Sequence, residues 1–425
     1  MLAAEDNDIL CRVEGNAPMG ALMRRHWLPA CLPEEVAKPD GDPLEIRILG
    51  QELVIFRDTR GKLGALDAHC PHRGARLVLG RNENCGLRCL FHGWKFATDG
   101  TVLEAASEPP GSRLPETVRA RSFPVHEAAG FVWVWLGEGE APAFQPPPWA
   151  AGDDGSIAIV KIRVACNWAQ VLEGAIDSAH SSSLHSTDMP ASTVTRASAT
   201  ATVWPRPSSD KAPRMQVDVQ KWGFRYAALR TPNHDAETHD YIRATVFVAP
   251  IFALIPPNNR YRLAQAIVPI DDVTTMFHFI AWHPEPDHGI GVDEWRRFCA
   301  ATPGLDLAGD WSPVRNRANN YQQDRSLMRL GDFTGIRGIP AQDIAMWEGM
   351  GKIADRTREY LGTSDLAIVH FRRQMVAAAK SLRDGKPTIT SPPPAIASFE
   401  GIVAKGTDWR ALTEAAGHAP ADAAA

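Results

Sequence analysis

The 425-residue sequence is short of cysteine, of net charge and of long apolar runs. Seven cysteines is a low and odd number, which argues against a disulfide framework and for reduced thiols. No run of 18 apolar residues occurs, so no membrane span is expected. The opening MLAAEDNDILCRVEG is acidic and lacks a basic-then-apolar signal, so a cytoplasmic location is expected. A net charge of −5 gives no footprint for nucleic acid or an anionic membrane. There is no internal repeat and no G-x-G-x-x-G fingerprint for a dinucleotide.

What is present is an ordinary globular composition, 44% apolar and 22% charged, long enough for two or three domains. Residues 44–67 alternate short β-rich runs with turns at Leu49-Gly50-Gln51 and Thr59-Arg60-Gly61-Lys62, which reads as a β-meander. The run FVWVWLG at 131–137 is a further strand. Pro142 to Pro148 and Gly152-Asp153-Asp154-Gly155 read as a linker, with a boundary near 150–155. Beyond it, Ile157 to Val164 alternates as a strand and 167–180 reads as a helix. Strands are expected at 214–219, 223–230, 240–248, 261–269 and 275–282, and helices at 293–301, 312–330, 342–361 and 366–382. That order predicts an α+β region with a curved antiparallel sheet around helices. The tail from Lys386, rich in Pro, Gly and Ala, is expected to be loosely ordered. The expected division is 1–152, 153–385 and 386–425.

Two constellations carry chemistry. The first is Cys70-Pro71-His72, then sixteen intervening residues, then Cys89-Leu90-Phe91-His92. Two thiolates suit one iron of a Rieske [2Fe–2S] cluster, and two neutral imidazoles raise the potential of the other. Pro71 stiffens its turn, and Gly93 allows tight backbone beside the sulfurs. A structural zinc site is the alternative, but zinc sites more often pair C-x-x-C with H-x₃₋₅-H. Cys11, Cys31, Cys85, Cys166 and Cys299 read as small buried or spectator residues.

The second is Asp177-Ser178-Ala179-His180 followed by His185. Two histidines and a carboxylate are the ligands of a non-haem Fe(II) oxygenase. Asp177 and His180 are neighbours on a helical surface. His180 and His185 lie about 140° apart on an ideal helix. They can share a metal only if the helix ends or loosens at Ser181-Ser182-Ser183. Asp177 is placed to accept the second N–H of His180. Surface histidines beside a helix cap are the bland alternative. Spacing alone cannot choose a third ligand among 50 acidic residues.

With these motifs in view, the chain resembles the oxygenase component of the Rieske non-haem iron ring-hydroxylating oxygenases, and is most similar to the homomeric phthalate dioxygenase-like group. The matching stretches are CPHRGARL, CLFHGWKF, NWAQVLEGAIDSAHSSSLH, THDYIRATVFVAP, IPPNN, VPIDD and AQDIAMWEGMGKIADRTREYLGTSD, within residues 5–380. The resemblance implies an N-terminal Rieske β-domain and a helix-grip, START-like catalytic domain. It implies that Cys70, His72, Cys89 and His92 hold the cluster and that His180, His185 and Asp343 hold Fe(II), with O₂ as co-substrate. It implies catalytic roles for Asp177 and Asn167, Asp177 bridging His180 to a cluster histidine of a neighbouring subunit. A trimer or a stack of two trimers follows. So does a separate NADH-dependent reductase carrying flavin and a plant-type [2Fe–2S] cluster, in keeping with the missing dinucleotide fingerprint.

Members of this group act mostly on aromatic carboxylates, and a carboxylate in an apolar pocket calls for the arginine fork. Strand alternation puts Arg243 on one face with Tyr241, Thr245 and Phe247, and Ile242, Ala244, Val246 and Val248 on the other. Arg206, after Trp204-Pro205, and Ser178 complete the expected substrate contacts, with Arg225 and Arg230 in reserve. The expected reaction is cis-dihydroxylation. O-demethylation of a methoxylated aromatic acid is the rival within the class, and a Rieske electron carrier without catalytic iron the rival outside it.

Overall fold

The computed structural model describes residues 1–147, 149, 155–191, 204–257, 261–390 and 396–418. Contacts divide the chain into a smaller unit of residues 13–16 and 20–146, and a larger one of 1–12, 17–19 and 147–425. Pro148 and residues 150–154, within the expected linker, lie outside the described residues, as do Asn258 and Asn259. No helix among the described residues is long and apolar enough to cross a membrane.

The smaller unit is all antiparallel. Leu44–Ile48, Gln51–Arg57 and Leu63–Asp67 form the expected meander, with Ser122–Phe123 on its edge. A second four-stranded sheet runs Arg81–Glu83, Gly86–Arg88, Trp94–Phe96 and Val102–Ala105. Phe131–Trp135 is paired on both sides, by Trp27–Cys31 and Val125–Ala128. Val54, Phe56, Leu66, Leu87, Trp94 and Phe96 form a buried core, and both motif cysteines sit in that cluster.

The larger unit opens with helix α1 (Ala4–Cys11). This segment was expected to go with the first domain. Its backbone is instead bonded into the larger unit: Trp168 Nε1 donates to Leu10 O at 3.2 Å and Asn167 Nδ2 to Cys11 O at 2.8 Å. Strand β1 (Ser156–Val164) and helix α2 (Trp168–Ala175) follow. Five more strands are β2 (Arg214–Gln220), β3 (Gly223–Arg230), β4 (His239–Val248), β5 (Phe252–Ile255) and β6 (Arg262–Asp271), and β7 (Thr274–His283) closes the run. The sheet order is β1-β7-β6-β5-β4-β3-β2, antiparallel at every pairing. Helices α3 (Val292–Phe298), α4 (Ile339–Gly349) and α5 (Leu366–Arg383) come next.

The tail departs from expectation. Strand β8 (Phe399–Ala404) pairs with β4, and helix α6 (Trp409–His418) follows. The cause lies in β5, which is only four residues long and covers β4 from Val246 to Val248. The rest of that edge, His239 to Ala244, would expose unpaired backbone, and β8 fills it. Trp409 of α6 packs with Ile242, Ala244, Ala227 and Leu229, so β4 is buried on both faces.

Two helices are also shorter than expected. In 312–330 only Arg325–Arg329 is α-helical. Asn316 accepts the Ala318 N–H through its side chain and Asn319 Nδ2 donates to Val314 O, amide contacts that compete with helical bonding. The 342–361 helix starts earlier, at Ile339, and stops at Gly349, where Gly351 adopts φ 96° past its end.

Candidate active site

The two Cys-His loops share one backbone design. The Cys70 N–H donates to Ala75 O and the Cys89 N–H to Trp94 O, both at 2.8 Å. Gly74 N–H returns to Cys70 O and Gly93 N–H to Cys89 O. Gly74 and Gly93, each four residues after its cysteine, have φ of 75° and 73°, which a side chain would oppose. The turns bury both cysteines and leave both histidines half-buried. The His72 and His92 rings lie 4.5 Å apart, and His72 stacks on Trp94 at 4.8 Å. Burial, and then the adjacent Cys89 sulfur, push the Cys70 thiol up to about 11. Two close, buried sulfurs and two outer imidazoles fit a [2Fe–2S] cluster with thiolates on the inner iron.

In the larger unit the helix does end between the expected ligands. Helix α2 stops at Ala175, Asp177 Oδ1 accepts the N–H groups of Ala179 and His180, and a 3₁₀ turn covers His180–Ser182. His180 Nε2 then lies 3.2 Å from His185 Nε2, and Asp343 Oδ1 lies 3.5 Å from the first and 3.1 Å from the second. Metal bonds of about 2.0–2.2 Å meeting at right angles separate ligand atoms by about 3 Å. The three atoms therefore fit one face of a metal ion and would leave its other positions open. Burial opposes charge on His180, but Asp177 and Asp343 outweigh it and favour a cation there. Burial also opposes charge on Asp177, whose pKa nonetheless falls through its bonds to His180 and Ala179. Asp177 Oδ2 stands 3.6 Å from His180 Nδ1.

The sequence reading missed how His185 is held. Its Nδ1 bonds Gln342 Oε1 at 2.7 Å, while Gln342 Nε2 donates to Asp188 Oδ2 and Ile336 O. That bond puts the proton on Nδ1 and turns the Nε2 lone pair to the metal position. Gln342 immediately precedes Asp343 on α4, and this adjacency was the available signal. Gly174 gives α4 its close seat: a Cβ there would meet the Trp347 indole at 2.1 Å.

A cavity adjoins the three converging atoms. Ile255, Leu263, Phe279, Ile339 and Trp347 give it apolar walls, and Ser178, Tyr226, Thr245, Gln265 and Arg243 give polar points. Arg243 and Thr245 share the face that alternation assigned them. Arg206 and Arg230 are buried but stand behind that wall. Arg206 donates to Ser182 Oγ at 2.6 Å and Ser181 O at 3.2 Å, and Arg230 to Ser178 O at 2.7 Å. They grip the segment joining the two histidines. Neither has a carboxylate within ion-pair distance among the described residues, and burial followed by Arg243 pushes the Arg206 pKa down to about 10. Arg225 faces elsewhere, toward Asp218, Thr413 and Glu414. Asn167 is not brought to the cavity. It caps α2, accepting the Ala169 N–H and donating to Cys11 O and Asp272 O.

Two family models match: one described as the Rieske [2Fe-2S] domain over residues 26–124, one as LigXa C-terminal domain like over 134–423. The phthalate 4,5-dioxygenase oxygenase subunit of Pseudomonas putida is 52% identical over 96% of this chain and 94% of its own length. The chain belongs to the Rieske oxygenases. The 3-chlorobenzoate-3,4-dioxygenase oxygenase subunit of Comamonas testosteroni is 34% identical over 92% of this chain and 91% of its own. The crystal structure of dicamba monooxygenase bound to dicamba shares the fold, with TM-score 0.58 and 18% identity over 85% of this chain and 99% of that one. This Rieske oxygenase thus uses a [2Fe–2S] cluster, a mononuclear iron and O₂, and is an oxygenase subunit of a multicomponent kind.

Proposed function

We propose that this Rieske oxygenase cis-dihydroxylates an aromatic carboxylate, a phthalate-type dicarboxylate being the first choice. The observation that carries this is the buried guanidinium of Arg243 on the wall of the cavity adjoining the three converging metal-binding atoms. The similarity to a phthalate 4,5-dioxygenase subunit over nearly the whole chain supports it.

In this reading Cys70, His72, Cys89 and His92 hold the cluster, and His180, His185 and Asp343 hold the iron. When bound, these groups supply electrons and O₂ activation. The protein's own residues do the rest. Arg243 and Ser178 take the substrate carboxylate, and Arg230 behind Ser178 and Arg206 behind Ser181 and Ser182 add positive potential. Phe279, Leu263 and Trp347 enclose the ring and exclude water. Gln342 fixes the tautomer of His185, and Asp177 orients His180 and reaches toward a cluster histidine of a neighbouring copy. That last role needs a homo-oligomer, a trimer or stacked trimers, and a cytoplasmic NADH-fed reductase supplies electrons.

The test is NADH-dependent O₂ uptake by iron-loaded protein with a generic reductase, with mass spectrometry of products from phthalate isomers, substituted benzoates and methoxylated acids. A product heavier by two oxygens and two hydrogens supports the reading. A product lighter by CH₂, with formaldehyde, would replace it with O-demethylation.

A further inference from the structure

We infer that Glu400 is an internal competitor for Arg243, weakening the hold of the site on every acid so that product can leave; this rests on Arg243 being the carboxylate anchor. Strand β8 sets Glu400 directly opposite Arg243 on β4. Paired residues on neighbouring strands share a face. Glu400 Oε2 lies 3.3 Å from Arg243 Nη1, with both side chains 6% exposed. The Tyr241 hydroxyl donates to the other oxygen of Glu400. An anion is thus paired with the arginine of the cavity wall, 157 residues along the chain from it.

Its use follows from the reaction. Hydroxylating the ring leaves its carboxylates unchanged, so substrate and product carry the same charge. Arg206 and Arg230 already stand behind the site without carboxylate partners among the described residues. Adding the full charge of Arg243 would bind both acids more tightly by the same interaction. Such uniform binding lowers KM without aiding the chemical step, and it slows release. Glu400 takes back part of that attraction from substrate and product alike.

The experiment measures binding by calorimetry on iron-loaded protein under nitrogen, with phthalate and its neutral dimethyl ester as probes. The proteins are the wild type, Glu400→Gln, Arg243→Gln and the double variant. Glu400→Gln keeps the shape and can still accept from Tyr241, but removes one negative charge. It should tighten phthalate by on the order of tenfold while leaving the ester nearly unchanged. In turnover, KM and kcat for phthalate should fall together. Arg243→Gln should weaken phthalate selectively, and the double variant should lie between. Tyr241→Phe removes only the hydroxyl and should change the acid-to-ester ratio little. If Glu400→Gln weakens acid and ester alike, or leaves both unchanged, Glu400 is a strand-pairing residue and the inference is overturned. If Arg243→Gln binds phthalate as the wild type does, the anchor itself is wrong, a separate and earlier failure.

Discussion

Glu173 lies on α2, four residues before Asp177, and holds the helix that leads into the histidine segment. Its Oε1 accepts from Arg356 Nε and Arg372 Nε, each at 2.8 Å, and its Oε2 from Arg356 Nη2 at 3.1 Å. Arg356 is fully buried and also donates to Asn7 Oδ1, while Arg372 pairs with Glu359 at 2.6 Å. Glu173→Gln keeps the volume and removes the charge. Its amide nitrogen must face a guanidinium donor: at the Oε2 position it loses the Arg356 Nη2 contact, at the Oε1 position it loses two, and the survivors no longer meet a charged acceptor. Losing one or two charge-assisted bonds at about 1.5–3 kcal/mol each costs about 1.5–6 kcal/mol. Breaking a buried pair costs about 3–5 kcal/mol, within that range. At about 2–4 °C per kcal/mol, the Tm of the larger unit should fall by roughly 6–20 °C. Far-UV circular dichroism would follow this melting, and visible dichroism of the cluster would report the smaller unit separately. A fall below about 2 °C would refute the reasoning. Acid gives a second readout. Burial raises the Glu173 pKa, but Arg356 and Arg372 outweigh it and hold it below the usual value. Its contribution is therefore complete above about pH 4.3 and fades as pH falls toward the folded-state pKa. Glu173→Gln should flatten that part of the Tm–pH profile.

Gln342→Leu removes the acceptor of His185 Nδ1 and should weaken iron about 10–100-fold, read by chelator competition, with the cluster spectrum intact. Asp343→Ala should abolish iron retention while leaving the visible absorbance of the cluster, measurable by metal analysis of one preparation. Asp177→Asn should keep both metals yet lose coupled turnover, measured as NADH-dependent product formation. Normal coupling in that variant would remove Asp177 from the electron path.

Features that depend on neighbours in sequence were readable from the sequence. The Cys-x-His and Cys-x-x-His loops and the Asp177-to-His185 motif each sit within one turn or segment, and the need for a helix break before His185 followed from angular spacing alone. Asp343 did not emerge from spacing; the resemblance supplied it. Gln342 was within reach, since a metal-bound histidine needs an acceptor and this amide adjoins Asp343. The arginine contacts were harder. Arg206 meets Ser182 and Arg230 meets Ser178 only after the chain has folded back, and nothing local distinguishes them from surface arginines. The 312–330 helix failed because Asn316 and Asn319 bond their own backbone. In the tail, Phe399–Ala404 is a short apolar run in poor β context, made a strand by the open edge of β4.

The placing of β8 also sets an order of assembly during synthesis. The three converging metal-binding residues lie between positions 180 and 343, so all have left the ribosome before Glu400 is made. The nascent chain can assemble its iron centre while the acid-binding end of the cavity still lacks a strand. A message cut short, or a protease trimming the end, would yield a protein that carries both metals and passes metal analysis, yet lacks the carboxylate that loosens its hold on acids.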